Sequence, residues 1–71
     1  MNKSLMKAAI ARNNDTQSDL AKALHLSQSA ISNRINGKID FRLSEINCIR
    51  QRYKLTDGET AGIFFDQVVS A

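Results

Sequence analysis

Gln28, Ser29, Ser32 and Asn33 bring two carboxamides and two hydroxyls into one short stretch, residues 27–36, that holds no acidic side chain. A carboxamide offers a donor beside an acceptor, and a hydroxyl plays either part. Asn or Gln can pair bidentately with the edge of adenine, and Ser can bond several base edges. The chemistry on offer is therefore recognition of a hydrogen-bonding pattern, with Asn33 and Gln28 the sharper candidates and Ser29 and Ser32 the more ambiguous ones.

Bond-making chemistry has no comparable constellation. His25, Cys48 and Tyr53 are single residues far apart in the chain, the acids show neither metal-ligand nor paired-carboxylate spacing, and no glycine-rich phosphate loop occurs. No catalytic residue, metal site or cofactor is expected. Cys48, the single cysteine, cannot form an internal disulfide and reads as a small apolar residue of a helix. Neither an export signal nor a membrane-spanning run is evident, so the expectation is a cytoplasmic protein with no membrane partner.

Charge narrows the partner. All ten Lys and Arg residues precede Thr56, against four acids in the same stretch, whereas Asp57, Glu59 and Asp66 follow it. The net charge of +3 thus conceals a more basic first four-fifths that suits a polyanion. Many soluble proteins carry a basic surface, so this alone is weak.

The elements that must position these residues are helical. Proline is absent, glycine occurs only at 37, 58 and 62, and apolar residues recur three or four apart, which predicts an all-α bundle in a single domain, 1–71. A first helix pairs Leu5 with Ala9 and Met6 with Ile10, then stops at Asn13-Asn14-Asp15. Thr16 caps a second helix with Leu20, Ala23 and Leu24 on one face. Ser27 caps a third whose apolar side is Ile31 and Ile35, and Asn36-Gly37 ends it. Leu26, just before that cap, is placed to staple the entering chain onto Ala30 or Ile31.

Asp40 is a candidate cap for a fourth helix with Leu43, Ile46, Ile49 and Tyr53 inside, and Thr56 with Glu59 forms a capping box for a fifth. That last helix, 57–70, carries Ala61, Phe64, Phe65 and Val68 in one stripe, with Ile63 and Val69 beyond it. Such breadth fits either a helix laid deeply across a small core or one shared between two subunits. In the second case Ile63, Phe64, Phe65, Val68 and Val69 form the dimer interface.

On a wheel of about 100° per residue starting at Ser27, the third helix buries Ile31 and Ile35 and centres its opposite face on Asn33, flanked by Ser29, Ala30 and Ser32. Gln28 falls toward the buried side, but its length and its place at the tip still give it reach. Arg34 borders the apolar side, either as a phosphate clamp or as a flank charge whose stem covers the core. Gln17, in the first turn of the second helix, and Asn36 and Lys38, just after the third, are candidate phosphate contacts. Arg12, Arg42 and Lys7 are peripheral candidates for the same role, and all three read more simply as solvated surface. Asp19 and Glu45 read as caps or solvent-facing charges.

The two helices hinged at His25-Leu26-Ser27 form a DNA-reading helix-turn-helix in outline. Gln17, Leu20 and Ala21, then Ser27-Gln28-Ser29-Ala30-Ile31, then Asn36-Gly37-Lys38, resemble the motif of bacteriophage repressors and Cro-type regulators, the lambdoid-repressor-like or XRE-like class. The likeness spans about residues 5–53. It implies a compact five-helix lambda-repressor-like domain that binds a roughly palindromic double-stranded operator as a homodimer, formed in solution or on the DNA. Gln17 would touch phosphate, with Gln28, Ser29, Ser32 and Asn33 nearest the bases. Two positions depart from the class: His25 stands where Gly is frequent, and Arg34-Ile35 shifts the apolar residue by one place.

The rival reading is a protein-binding module, or an inhibitor of another regulator, that uses the apolar C-terminal helix. Within the DNA-binding reading, a small Cro-like protein or repressor acting by operator occupancy is the simplest expectation, since occlusion requires no further surface.

Overall fold

Most helices here begin where a short polar side chain takes up the first free amides, and most end where one residue turns left-handed. The computed structural model describes residues 1–65. Among them are five helices and no strand: α1 (Lys3–Arg12), α2 (Gln17–Ala23), α3 (Gln28–Ile35), α4 (Leu43–Tyr53) and α5 (Asp57–Phe64). None is long and apolar enough to cross a membrane.

The starts follow local chemistry. Asn2, Thr16 and Ser27 accept from the backbone N–H of Leu5, Asp19 and Ala30 at 3.0, 3.0 and 3.1 Å. Thr56 accepts from Glu59 N–H at 3.1 Å while the Glu59 carboxylate accepts from Thr56 N–H at 2.9 Å, a complete capping box. The fourth helix departs from expectation. Its cap is Arg42, whose backbone N–H donates to Glu45 Oε1 at 2.9 Å, and Asp40 lies in the loop before it. Glu45 lies three residues beyond Arg42, the spacing that lets a first-turn carboxylate reach back, which Asp40 lacks.

Four helices share one ending. Asn14, His25, Gly37 and Lys54 have φ of 52°, 57°, 80° and 52°, and the amide after each bonds back to a carbonyl five residues earlier: Asp15 to Ile10, Leu26 to Ala21, Lys38 to Asn33, Leu55 to Arg50. These are Schellman closures, which satisfy carbonyls the helix would otherwise leave open. Only Gly37 adopts the conformation without a Cβ penalty. At His25 and Lys54 the next residue is a leucine, Leu26 or Leu55, that packs onto or into the core and offsets the strain.

The core is contiguous. Met6, Leu20, Ile31, Ile35 and Ile49 are its largest fully buried side chains, joined by Phe41, Ile46, Tyr53, Ile63 and Phe64. Each such burial contributes roughly 1.5–3 kcal/mol before the cost of ordering the chain, so a domain this small depends on nearly all of them. α2 packs on α3, and α1 on α5, where Asn2 N–H also donates to Ile63 O at 2.6 Å.

Two faces differ from the wheel. Leu43, expected inside, is 69% exposed, because α4 turns Glu45, Ile46, Ile49 and Tyr53 inward and leaves its first residue outside. In α5, Ile63 and Phe64 are 3% and 7% exposed, with Phe64 edge-on to Phe41 at a centroid distance of 5.6 Å. Both therefore belong to the core of the single chain. Phe65 caps α5 and is 42% exposed, while Val68 and Val69 lie outside the described residues.

Candidate nucleic-acid interface

The corner between α2 and α3 is set by three residues in a row. Leu24 caps α2, His25 swings left-handed, and Leu26 N–H closes on Ala21 O at 2.8 Å. Ser27 then opens α3 at once. Ala21 is fully buried, and its single methyl leaves room for the second helix to lie close. The left-handed histidine does the work that glycine would do, which accounts for the departure at this position.

The tip of α3 is held from α2. Gln28 Nε2 donates to Ser18 Oγ at 3.0 Å, and both residues are exposed. This fixes one end of the Gln28 carboxamide while its carbonyl and second N–H keep their hydrogen-bonding capacity. Gln28 is thus more outward than its wheel angle suggests, because the first residue of a helix projects past the end of its own cylinder.

Ser29 beside it is also exposed, whereas Ser32 and Asn33, one turn on, are half-buried. Asn36 Nδ2 donates to Ser32 Oγ at 3.2 Å, so the second turn of α3 is tied to its own exit. The outermost hydrogen-bonding groups of α3 therefore lie in its first turn, ahead of Asn33.

The phosphate candidates divide. Gln17 is half-buried in the first turn of α2, and Asn36 and Lys38 are exposed beyond the end of α3. Arg12 is exposed and pairs with Glu59 across α1 and α5 at 3.3 Å. Arg34 has a different job from a phosphate clamp. Only 8% exposed, it donates from Nε to Glu45 Oε1 at 2.9 Å and from Nη1 to Ala30 O at 3.3 Å. Packing of α3 against the start of α4 draws this flank position inside, and the carboxylate there supplies the charge that makes its burial tolerable.

Sequence reasoning also missed a brace behind the motif. Asp15, just before the α2 cap, accepts from Arg52 Nε at 2.9 Å and Nη2 at 3.0 Å, and from the Tyr53 hydroxyl. The Arg52 hydrogen bonds, aided by that of Tyr53, outweigh burial and hold the Asp15 carboxyl down at about 2. Burial and the adjoining carboxylate push the Tyr53 phenol up. Glu59 is lowered by the Thr56 amide that it caps. The α1–α2 turn, which sets where α2 begins, is thereby pinned to the end of α4. Ser18 and Asp15 could be found only once the helices were placed, but Glu45 had a local signal in its three-residue distance from Arg42.

Among the described residues, no group of three or more His, Cys, Asp or Glu side chains could hold a metal ion. α3 carries no acid. An acid-free helix with a polar, outward first turn can approach phosphate and meet base edges with neutral donors and acceptors. A family model described as helix-turn-helix matches residues 6–47, which takes in most of α1, all of α2 and α3, and the start of α4. Searches of curated proteins and of solved structures returned no match.

Proposed function

Because the chain belongs to the helix-turn-helix family, a class of DNA-binding regulatory domains, we propose that it is a sequence-specific transcriptional regulator of the Cro-like or small-repressor kind. It acts by occupying a double-stranded operator in the cytoplasm of a bacterial host cell. The whole of 1–71 serves as one domain, and two copies bind together on adjacent half-sites.

The observation that carries this reading is the tip of α3, where Gln28 is held by Ser18 beside an exposed Ser29 with no acid on the helix. Gln28 and Ser29 meet base edges first, with Ser32 and Asn33 deeper along the groove. Gln17, Asn36 and Lys38 flank them as phosphate contacts, and Arg12 lies further out. Arg34 drops from that set because its charge is spent inside the fold.

Selection from a random duplex library, followed by footprinting, tests the proposal. The expected result is one preferred sequence with two related halves, bound well above a salt-sensitive background. Binding that stays uniform across the library would sink it. Sedimentation with and without the selected duplex tests the pairing of copies, and a strict monomer in both conditions removes that part. Association on DNA alone would fit two weakly interacting subunits held by neighbouring half-sites.

A further inference from the structure

Glu45 Oε1 is shared by two donors at the same 2.9 Å: Arg34 Nε from α3 and the Arg42 backbone N–H at the start of α4. Arg34 also reaches back to Ala30 O on its own helix. Both charged side chains are about nine-tenths buried. We infer that Arg34 and Glu45 are positioning residues that set the roll of α3 about its axis, and hence which base edges Gln28, Ser29, Ser32 and Asn33 face. This inference rests on the DNA-reading function proposed above.

The physical argument begins with what holds α3 otherwise. Ile31 and Ile35 seat it in the core, and apolar contact is non-directional, so two isoleucines on one side tolerate a modest rotation. A hydrogen-bonded ion pair is directional in distance and angle. At a side-chain radius of about 5–6 Å, a roll of about 10° displaces a tip by about 1 Å. That exceeds the spread of roughly 0.5 Å over which an N–H···O bond stays good. A rotation the core would accept is therefore enough to spoil base readout.

The placement supports the same role. Arg34 directly follows Asn33 and lies two residues after Ser32, so its anchor acts on the same turn as two of the reading candidates. Glu45 is fixed in turn by its bond to the Arg42 amide, which makes it a referenced point on α4 and not a free side chain. A buried pair of this type adds little net stability over apolar residues of similar size, so orientation is the property its removal should expose.

The double variant R34M/E45Q separates orientation from stability. It removes both charges and leaves an amide oxygen for the Arg42 N–H. The expected result is a folded, helical protein that binds non-specific duplex with the parent's salt dependence, but whose preference for the selected sequence over its single-base variants falls about tenfold. In the DNA-free protein, backbone and Asn33 side-chain amides of α3 should show new microsecond-to-millisecond exchange in relaxation dispersion.

A folded double variant with the parent's base ranking and discrimination, and no added exchange in α3, overturns the inference. A parent protein with no base preference would overturn the DNA-reading function; the relaxation measurement then decides the orienting role unaided. Should R34M/E45Q fail to fold, R34K, which keeps a cation beside Glu45 but loses the fixed guanidinium geometry and the bond to Ala30 O, is read in the same two ways.

Discussion

Asp15 and Arg52 meet across 37 positions of the chain, with Arg52 Nε 2.9 Å from Asp15 Oδ2 and Nη2 3.0 Å from Oδ1. The pair is bidentate and joined by the Tyr53 hydroxyl, and it ties the turn that launches α2 to the last turn of α4. The site's geometry thus depends on a contact outside the reading surface. Its contribution to stability varies with pH.

Asp15 has a folded-state pKa of about 2 against an ordinary 3.8, so its stabilisation is present in full above the unfolded value and fades as pH falls through about 4 toward 2. The shift corresponds to about 2 kcal/mol, reduced by screening because Arg52 is about a third exposed. Urea unfolding of the parent and of Asp15→Asn at several pH values should give a gap near neutrality that is about halved near pH 3 and closes by about pH 2. Parallel loss of stability in the two proteins would remove Asp15 from this role.

Base contacts and phosphate contacts should fail differently. Gln28→Ala is expected to cost about 1–3 kcal/mol per half-site at one base-pair position and to relax preference there. Lys38→Ala should weaken binding evenly across sequences and lower the salt slope by about one per half-site. Anisotropy titrations over a salt series, on the preferred duplex and its single-base variants, distinguish the two. A Gln28→Ala protein that ranks all duplexes as the parent does would exclude Gln28 as a reader.

Neighbouring phenylalanines should separate core from surface. Phe64 is buried edge-on against Phe41, and its removal should cost about 3–5 kcal/mol, enough to unfold most of a domain this small. Phe65→Ala should stay within about 1 kcal/mol in thermal melts, because the ring is 42% exposed. If Phe65 contributes to pairing of copies, the same variant shifts the sedimentation profile toward monomer. Equal stability losses at the two positions would contradict the inward–outward assignment.

His25 is explained by its backbone conformation and not by its imidazole. With φ at 57°, His25→Gly should be tolerated within about 1 kcal/mol, since relief of the left-handed penalty offsets the added freedom of the unfolded chain. His25→Val should cost about 1–2 kcal/mol, because a β-branched residue is poorly accommodated there. A valine variant as stable as the parent would show that the corner closes in another way.

The helix limits were legible because their causes are local. Thr16, Ser27 and the Thr56–Glu59 pair reach amides within three residues, and Gly37 ends α3 through its own backbone freedom. The all-helical order, the motif between residues 16 and 37, and an acid-free α3 follow from spacing of that kind. The fate of the borderline residues does not. Arg34 could cover the core or face phosphate until α4 supplied Glu45, eleven residues on, and Gln28 pointed outward only once the left-handed turn at His25 placed Ser18 beside it. Leu43 lay on the expected inner stripe yet faces out, while the broad stripe of α5 resolved into a buried Ile63 and Phe64 beside an exposed Phe65. A cap is a bond between chain neighbours, whereas burial and ion pairing depend on which surfaces meet, and that is set by how all five helices pack at once.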